Sequence, residues 1–217
     1  MYINIHSHQP PATNEWVIQN LYKAFERSLL PGSYSVGLHP WYIHPTKWEN
    51  DFNALKKIAE EHTVLAIGEC GLDKICNTDF MLQEEVFIAQ LLFANEINKP
   101  LIIHCVRAYE EVLLLLTKHK NKVPVIFHGF NKNRILAEKI INQGYYLSFG
   151  KALFEANIKQ VFAALPADKI FLETDDADTT IKMIYTEATS IKNISEETLS
   201  LQLIKNVQTV FNKNVLK

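Results

Sequence analysis

Seven residues able to bind a cation stand where short apolar runs stop. YINI is followed by His6-Ser7-His8, and VLAIG by Glu69. PLII ends at His104, PVIF ends at His128, and IFL is followed by Glu173-Thr174-Asp175. Imidazoles and carboxylates gathered on one rim are costly to strip of water unless something cationic holds them. A divalent metal supplies that charge, and mixed His/carboxylate donors suit Zn2+, Mn2+ or Ni2+ better than Mg2+ alone. In His6-Ser7-His8 the two-residue spacing points both rings to one face of an extended chain, so both can reach one ion. Taken singly, His-x-His reads equally as two polar loop residues, and His104 or His128 as a satisfied core histidine. Their joint placement is what reads as a metal set. Cys70 and Cys105 each follow a ligand, point the other way by the same alternation, and read as small core fillers.

The elements that must position these residues are eight apolar runs, at 2–5, 16–21, 34–38, 64–67, 101–103, 125–127, 145–147 and 170–172. Most are near-continuous rather than alternating, which is how strands buried on both faces read. Pro100 and Pro124 open two of them, and Gly144 precedes a third. Helix-period segments follow at 47–62, 80–97, 109–119, 133–142, 157–165, 180–192 and 196–211, the last with Ser195 as N-cap. Strands alternating with helices predict a parallel α/β architecture, either an open doubly wound sheet or a closed (β/α)8 barrel. Eight runs favour the barrel, and chemistry in such a barrel is assembled at the C-terminal strand ends. Five of the eight runs deliver a metal-ligand side chain to that rim. With 217 residues the barrel is short, near the lower limit of about 200. Residues 16–21 then form the second strand with no full helix before it, and 22–33, holding Pro31-Gly32, has little room for one. No repeat, linker or charge block interrupts the chain, which reads as one domain over 1–217.

In order along the chain, NIHSH (4–8), VGLHPW (36–41), IGECGLD (67–73) and QEEVFIAQLLFA (83–94) are followed by KPLIIHCVRA (99–108), VIFHGF (125–130), LSFG (147–150), FLETD (171–175) and Asn206. This series resembles the TatD family of metal-dependent hydrolases, among the amidohydrolase-type barrels. The resemblance implies a shortened (β/α)8 TIM barrel and a two-metal hydrolase of the DNase, phosphodiester-cleaving type. It implies that His6, His8, Glu69 and Asp175 hold one ion, while Glu69 bridges to a second held by His104 and His128. Asp175 is then the proton acceptor from a metal-activated water, and Glu173 anchors a histidine ring or backbone behind the ligands. His39 and Arg107 are candidate phosphate contacts, although Arg107 reads equally as an exposed residue at a helix start. Trp41 can be packing or base-stacking.

The chain also departs from the family pattern. Asn4 stands where the family has Asp and cannot supply negative charge behind a ligating imidazole. HGFNKN replaces the HxFSG turn, and Asp176-Ala177-Asp178 follows ETD, adding two carboxylates that repel a polyanion unless a metal screens them. These departures keep two alternatives open: an amidohydrolase acting on a small amide or ester, and a metal-binding relative without turnover. The composition, 47% hydrophobic and 21% charged with net charge −2, excludes a disordered chain and a general electrostatic nucleic-acid binder, while a local phosphate site remains compatible. No run approaches the ~18 apolar residues of a membrane span, and MYINIHSHQPP lacks a signal-peptide layout. Three cysteines without a CxxC pair fit a reducing, cytoplasmic setting. No stable protein partner is evident from the sequence.

Overall fold

The computed structural model describes residues 1–23, 25 and 28–215. Its strands are β1 (Tyr2–Ser7), β2 (Glu15–Leu21), β3 (Tyr34–Val36), β4 (Val64–Asp73), β5 (Leu101–Val106), β6 (Val125–Phe127), β7 (Tyr146–Phe149) and β8 (Ile170–Leu172). Its helices are α1 (Trp48–Ile58), α2 (Phe80–Ile97), α3 (Tyr109–Lys118), α4 (Arg134–Asn142), α5 (Ala156–Ala164), α6 (Ile181–Lys192) and α7 (Glu196–Phe211). The strand order is the chain order, β1 to β8. This is a (β/α)8 barrel with its first helices reduced: among the described residues no α-helix precedes Trp48. Residues 16–21 are a strand, as expected. The expectation that 22–33 holds no full helix touches residues 24, 26 and 27, which lie outside the described residues.

Helix starts follow local chemistry. The side chains of Asp79, Asn133, Thr180 and Ser195 accept from the backbone N–H three residues on, at 3.0, 3.0, 3.3 and 3.1 Å, satisfying a donor that the first turn leaves open. Three helices end on asparagines in the left-handed region, Asn98, Asn193 and Asn212, a conformation asparagine tolerates well. No described helix is long and apolar enough to cross a membrane.

The chain divides into two compact units, Met1–Gln19 with Ile126–Lys217, and Asn20–Val125. In the first unit β1 pairs in parallel with β2, and Ser7 bridges in parallel to Asp175 just beyond β8. Two backbone bonds reinforce that seam, Asp175 N–H to His6 O at 3.0 Å and His8 N–H to Asp175 O at 3.1 Å. Strands β6, β7 and β8 continue in parallel. The Tyr185 hydroxyl of α6 accepts from the Ile3 N–H at 2.9 Å. Asn206 of α7 donates to the carbonyls of Ala167 and Ile170, at 2.9 and 2.8 Å, which fixes the start of β8.

In the second unit β4 pairs in parallel with β3 on one side and β5 on the other. It runs six residues beyond the apolar stretch 64–67, through GECGLD to Asp73. Gly71 has φ +143°, and a Cβ there would run into the His104 carbonyl oxygen, so glycine lets β4 lie this close to β5. Two buried glutamines of α2 hold the end of β4 and the segment that follows β3. Gln83 Oε1 accepts from Asp73 N–H at 2.8 Å, and Gln90 Oε1 accepts from Leu38 N–H at 2.7 Å while its amide donates back to Leu38 O at 3.2 Å.

Candidate metal-binding groups

In the first unit the ligand group is built at the seam. His6 is fully buried at the end of β1, and His8 follows just beyond it. Both Nε2 atoms lie 3.4 Å from one oxygen of Asp175, Oδ1. Asp175 reaches that place through a left-handed backbone, φ +54°, strain that its backbone bonds to His6 and His8 offset. The His6 ring stands perpendicular to His8, centroids 5.5 Å apart, and 4.4 Å from the His128 ring. His128, Glu173 and Asp175 offer ligand atoms within 4.8 Å of one another. Glu173 Oε1 lies 3.4 Å from His128 Nδ1 and accepts from the Gly129 N–H at 2.8 Å, so it touches both a ring and a backbone amide. Burial pushes the Asp175 carboxyl up, but hydrogen bonds from His6 and His8 and the charges of His128 and His6 outweigh that and hold it far below the usual carboxylate range.

Asn4 lies in the same unit, 1% exposed. Its amide donates to Glu15 Oε1 at 2.6 Å and to the Thr174 hydroxyl at 2.8 Å, and its oxygen accepts from Thr174 N–H at 3.1 Å. Asn4 therefore ties β1 to β2 and to the segment after β8, work that needs an amide and not a carboxylate.

In the second unit Glu69 is the centre. Its N–H donates to Asn20 Oδ1 at 2.9 Å, and the Asn20 amide donates to Glu69 Oε2 at 3.3 Å. Its Oε1 faces His104 Nδ1 at 2.8 Å and His39 Nε2 at 3.1 Å. The Trp41 N–H donates to His39 Nδ1 at 3.1 Å, which leaves the ring proton on Nε2, directed at Glu69. The other nitrogen of His104, Nε2, lies 3.0 Å from Asp73 Oδ2, which also accepts from the Trp41 indole at 2.7 Å. Asp73 Oδ1 accepts from Ile75 N–H at 2.9 Å. Burial raises the Asp73 carboxyl, but the bonds from Trp41, His104 and Ile75 prevail and its pKa is lowered. Arg107 is exposed, in a left-handed turn directly after β5. Cys70 is fully buried, and burial raises its thiol, with the Glu69 charge adding to the effect.

Asp73 bonds to His104, Asn20 to Glu69 and Thr174 to Asn4, supporting contacts that the sequence reading does not identify. Asp73 had a signal, its even spacing from Glu69 along GECGLD. Asn20 had one too, an amide inside the apolar run 16–21.

A sequence model of the family described as TatD related DNase matches residues 12–212. The chain belongs to that family. Among relatives, an uncharacterized metal-dependent hydrolase of Buchnera aphidicola subsp. Baizongia pistaciae is 30% identical over 201 residues, 82% of this chain and 73% of that one. A protein named 3'-5' ssDNA/RNA exonuclease TatD, from Pantoea ananatis, is 32% identical over 148 residues, 65% of this chain and 56% of its own length. Among solved structures, the TatD homolog YjjV of Escherichia coli K12 superposes with a TM-score of 0.83 over 98% of each chain at 21% identity. A TatD family hydrolase of Entamoeba histolytica gives 0.80 over 97% of each at 15% identity. These two likenesses bear on the fold alone.

Proposed function

We propose that this hydrolase cleaves phosphodiester bonds of nucleic acid, with two divalent ions held by His6, His8, Glu69 and Asp175 and by Glu69, His104 and His128. The observation that carries the reading is the donor chemistry. His6 and His8 present Nε2 atoms to one Asp175 oxygen at 3.4 Å each, and His104 meets Glu69 at 2.8 Å. Imidazole nitrogens and carboxylate oxygens fit Zn2+, Mn2+ or Ni2+, with Mg2+ a poorer match. The exonuclease name of the Pantoea relative supports a single-stranded DNA or RNA substrate. Three cysteines with no CxxC pair among them support a reducing compartment such as the cytoplasm. The family match runs through both units, which supports one functional domain over 1–217.

When bound, divalent ions supply Lewis acidity and make a nearby water acidic enough to attack at neutral pH. Asp175 takes the proton of that water. A carboxylate is ionised across the physiological range and can accept a proton from a water made acidic beside it. Glu173 holds the His128 ring and the Gly129 amide in place. Arg107, exposed after β5, supplies donors to the anionic substrate, while His39, its Nε2–H directed at Glu69, borders the same region.

The test is metal analysis joined to hydrolysis of a single-stranded oligonucleotide by reconstituted protein. Asp175→Asn keeps metal and loses about 10²–10⁴-fold in kcat. Glu69→Ala loses both ions, while His128→Ala loses one. Full activity of Asp175→Asn at saturating metal, or equal metal loss in the other two variants, overturns these assignments.

A further inference from the structure

Beside the Glu69 group lies a cavity of 370 Å3 that the metal chemistry leaves unused. Its floor is apolar, with Phe25 8% and Leu38 7% exposed. Its walls are aromatic: Tyr22, Tyr42 and Trp48 together with the imidazole of His39. The Tyr22 and Tyr42 rings stack, centroids 5.0 Å apart and planes inclined by 24°. The His39 ring lies 5.6 Å from that of Tyr42. Among the described residues that line it are one ammonium and one carboxylate. Lys23 holds its ammonium 5.0 Å from the Tyr22 ring centroid, and Asp51 supplies the carboxylate.

These properties select a ligand. An inorganic ion has no use for four rings, and a greasy chain would strip water from Lys23 and Asp51 without replacing it. A flat heterocycle with N–H donors and an attached phosphate meets every feature. Aromatic rings offer it stacking faces, a carboxylate accepts from its edge, and an ammonium faces its phosphate. The volume falls within the small-ligand range of about 300–1,000 Å3. His39 connects the cavity to the chemistry, because the ring that forms part of the wall places Nε2 3.1 Å from Glu69 Oε1.

We propose that this cavity is a nucleobase subsite, which seats the base of the nucleotide adjoining the bond to be cut. Tyr42 and Trp48 stack on the base, Asp51 accepts from its N–H edge, and Lys23 meets a phosphate of the same strand. The inference rests on the phosphodiester reading and extends it from the bond to the group that positions it.

Two esters with the same p-nitrophenolate leaving group separate the questions: thymidine 5'-(p-nitrophenyl) phosphate, which carries a base, and methyl p-nitrophenyl phosphate, which does not. With metal-reconstituted full-length protein, Tyr42→Ala and Trp48→Ala each lower the ratio of the two kcat/KM values by about ten-fold. Tyr42→Phe, which keeps the ring, keeps the ratio. In parallel, deoxyguanosine, a base without phosphate, quenches tryptophan fluorescence of the parent and not of Tyr42→Ala. Hydrolysis of neither ester with Tyr42-dependent deoxyguanosine binding retained sinks the phosphodiester reading and leaves the subsite standing. Hydrolysis of both esters, with ratios unchanged in both alanine variants and no deoxyguanosine binding, overturns the subsite and leaves the hydrolase. A ratio that falls equally in Tyr42→Phe and Tyr42→Ala also overturns it.

Discussion

At the scale of single residues, Asn4 shows how a departure from a family pattern can be matched elsewhere in the chain. Its amide nitrogen sits 2.6 Å from Glu15 Oε1. A carboxylate there would face a second carboxylate at hydrogen-bond distance, which two ionised groups do not tolerate without cost. It would also lose the donor to Thr174. We therefore expect Asn4→Asp to lower stability by about 1–3 kcal/mol, measured by urea unfolding of the metal-free protein, and Glu15→Gln in the same chain to restore most of it. An Asn4→Asp protein as stable as the parent would remove Glu15 from the explanation. The sequence displayed the Asn in place of Asp. Its partner, eleven positions away on another strand, could be identified only after the two strands paired.

At the scale of elements, β4 carries the most chemistry and was the least legible. The apolar stretch 64–67 marked its start, but GECGLD has too many polar and glycine residues to read as buried strand. The strand continues because its polar groups have partners: Glu69 with Asn20, Asp73 with Gln83 and Trp41. Its glycines admit backbone where a side chain would collide. Gly71→Ala places a methyl group against the His104 carbonyl in a backbone region that alanine disfavours. The expected loss is at least about 1–3 kcal/mol, together with weakened metal retention through the shifted His104. Thermal unfolding and metal content read the two effects, and an unperturbed Gly71→Ala protein would show that β4 and β5 can separate freely. Helix α2, by contrast, was legible to the residue: Phe80–Ile97 in the sequence reading and in the structure. Its Asp79 cap and its apolar content are local properties.

At the scale of the whole molecule, ionisation links the ligand groups to stability. Asp73 and Asp175 both have lowered pKa values. A carboxyl whose folded pKa lies below its unfolded value, about 4, adds stability above that value and loses it as pH falls through the folded one. The metal-free protein is therefore steady with respect to these groups from neutral pH down to about 5 and loses stability below about 4. Asp73→Asn flattens that acid limb, read as the urea midpoint against pH in the presence of a chelator. A variant profile parallel to that of the parent would show that Asp73 contributes nothing to it. With a net charge of −2, the overall field does not attract a polyanion, so the proposed nucleic-acid substrate would depend on local groups such as Arg107 and Lys23.

The sequence by itself determined the alternation of strands and helices, because apolar runs and helix periods are local patterns read within a window of a dozen residues. It also marked seven residues of types able to bind a cation, because the point where each apolar run stops is a local property of the chain. Tertiary structure alone decided the partners: His104 between Glu69 and Asp73, Asn4 on Glu15 and Thr174, Glu173 on Gly129, and Tyr22 stacked on Tyr42. Each of these depends on which residues the packed strands and their loops bring within about 3–5 Å. That proximity is a property of register and packing between segments distant in the chain, and no single segment encodes it.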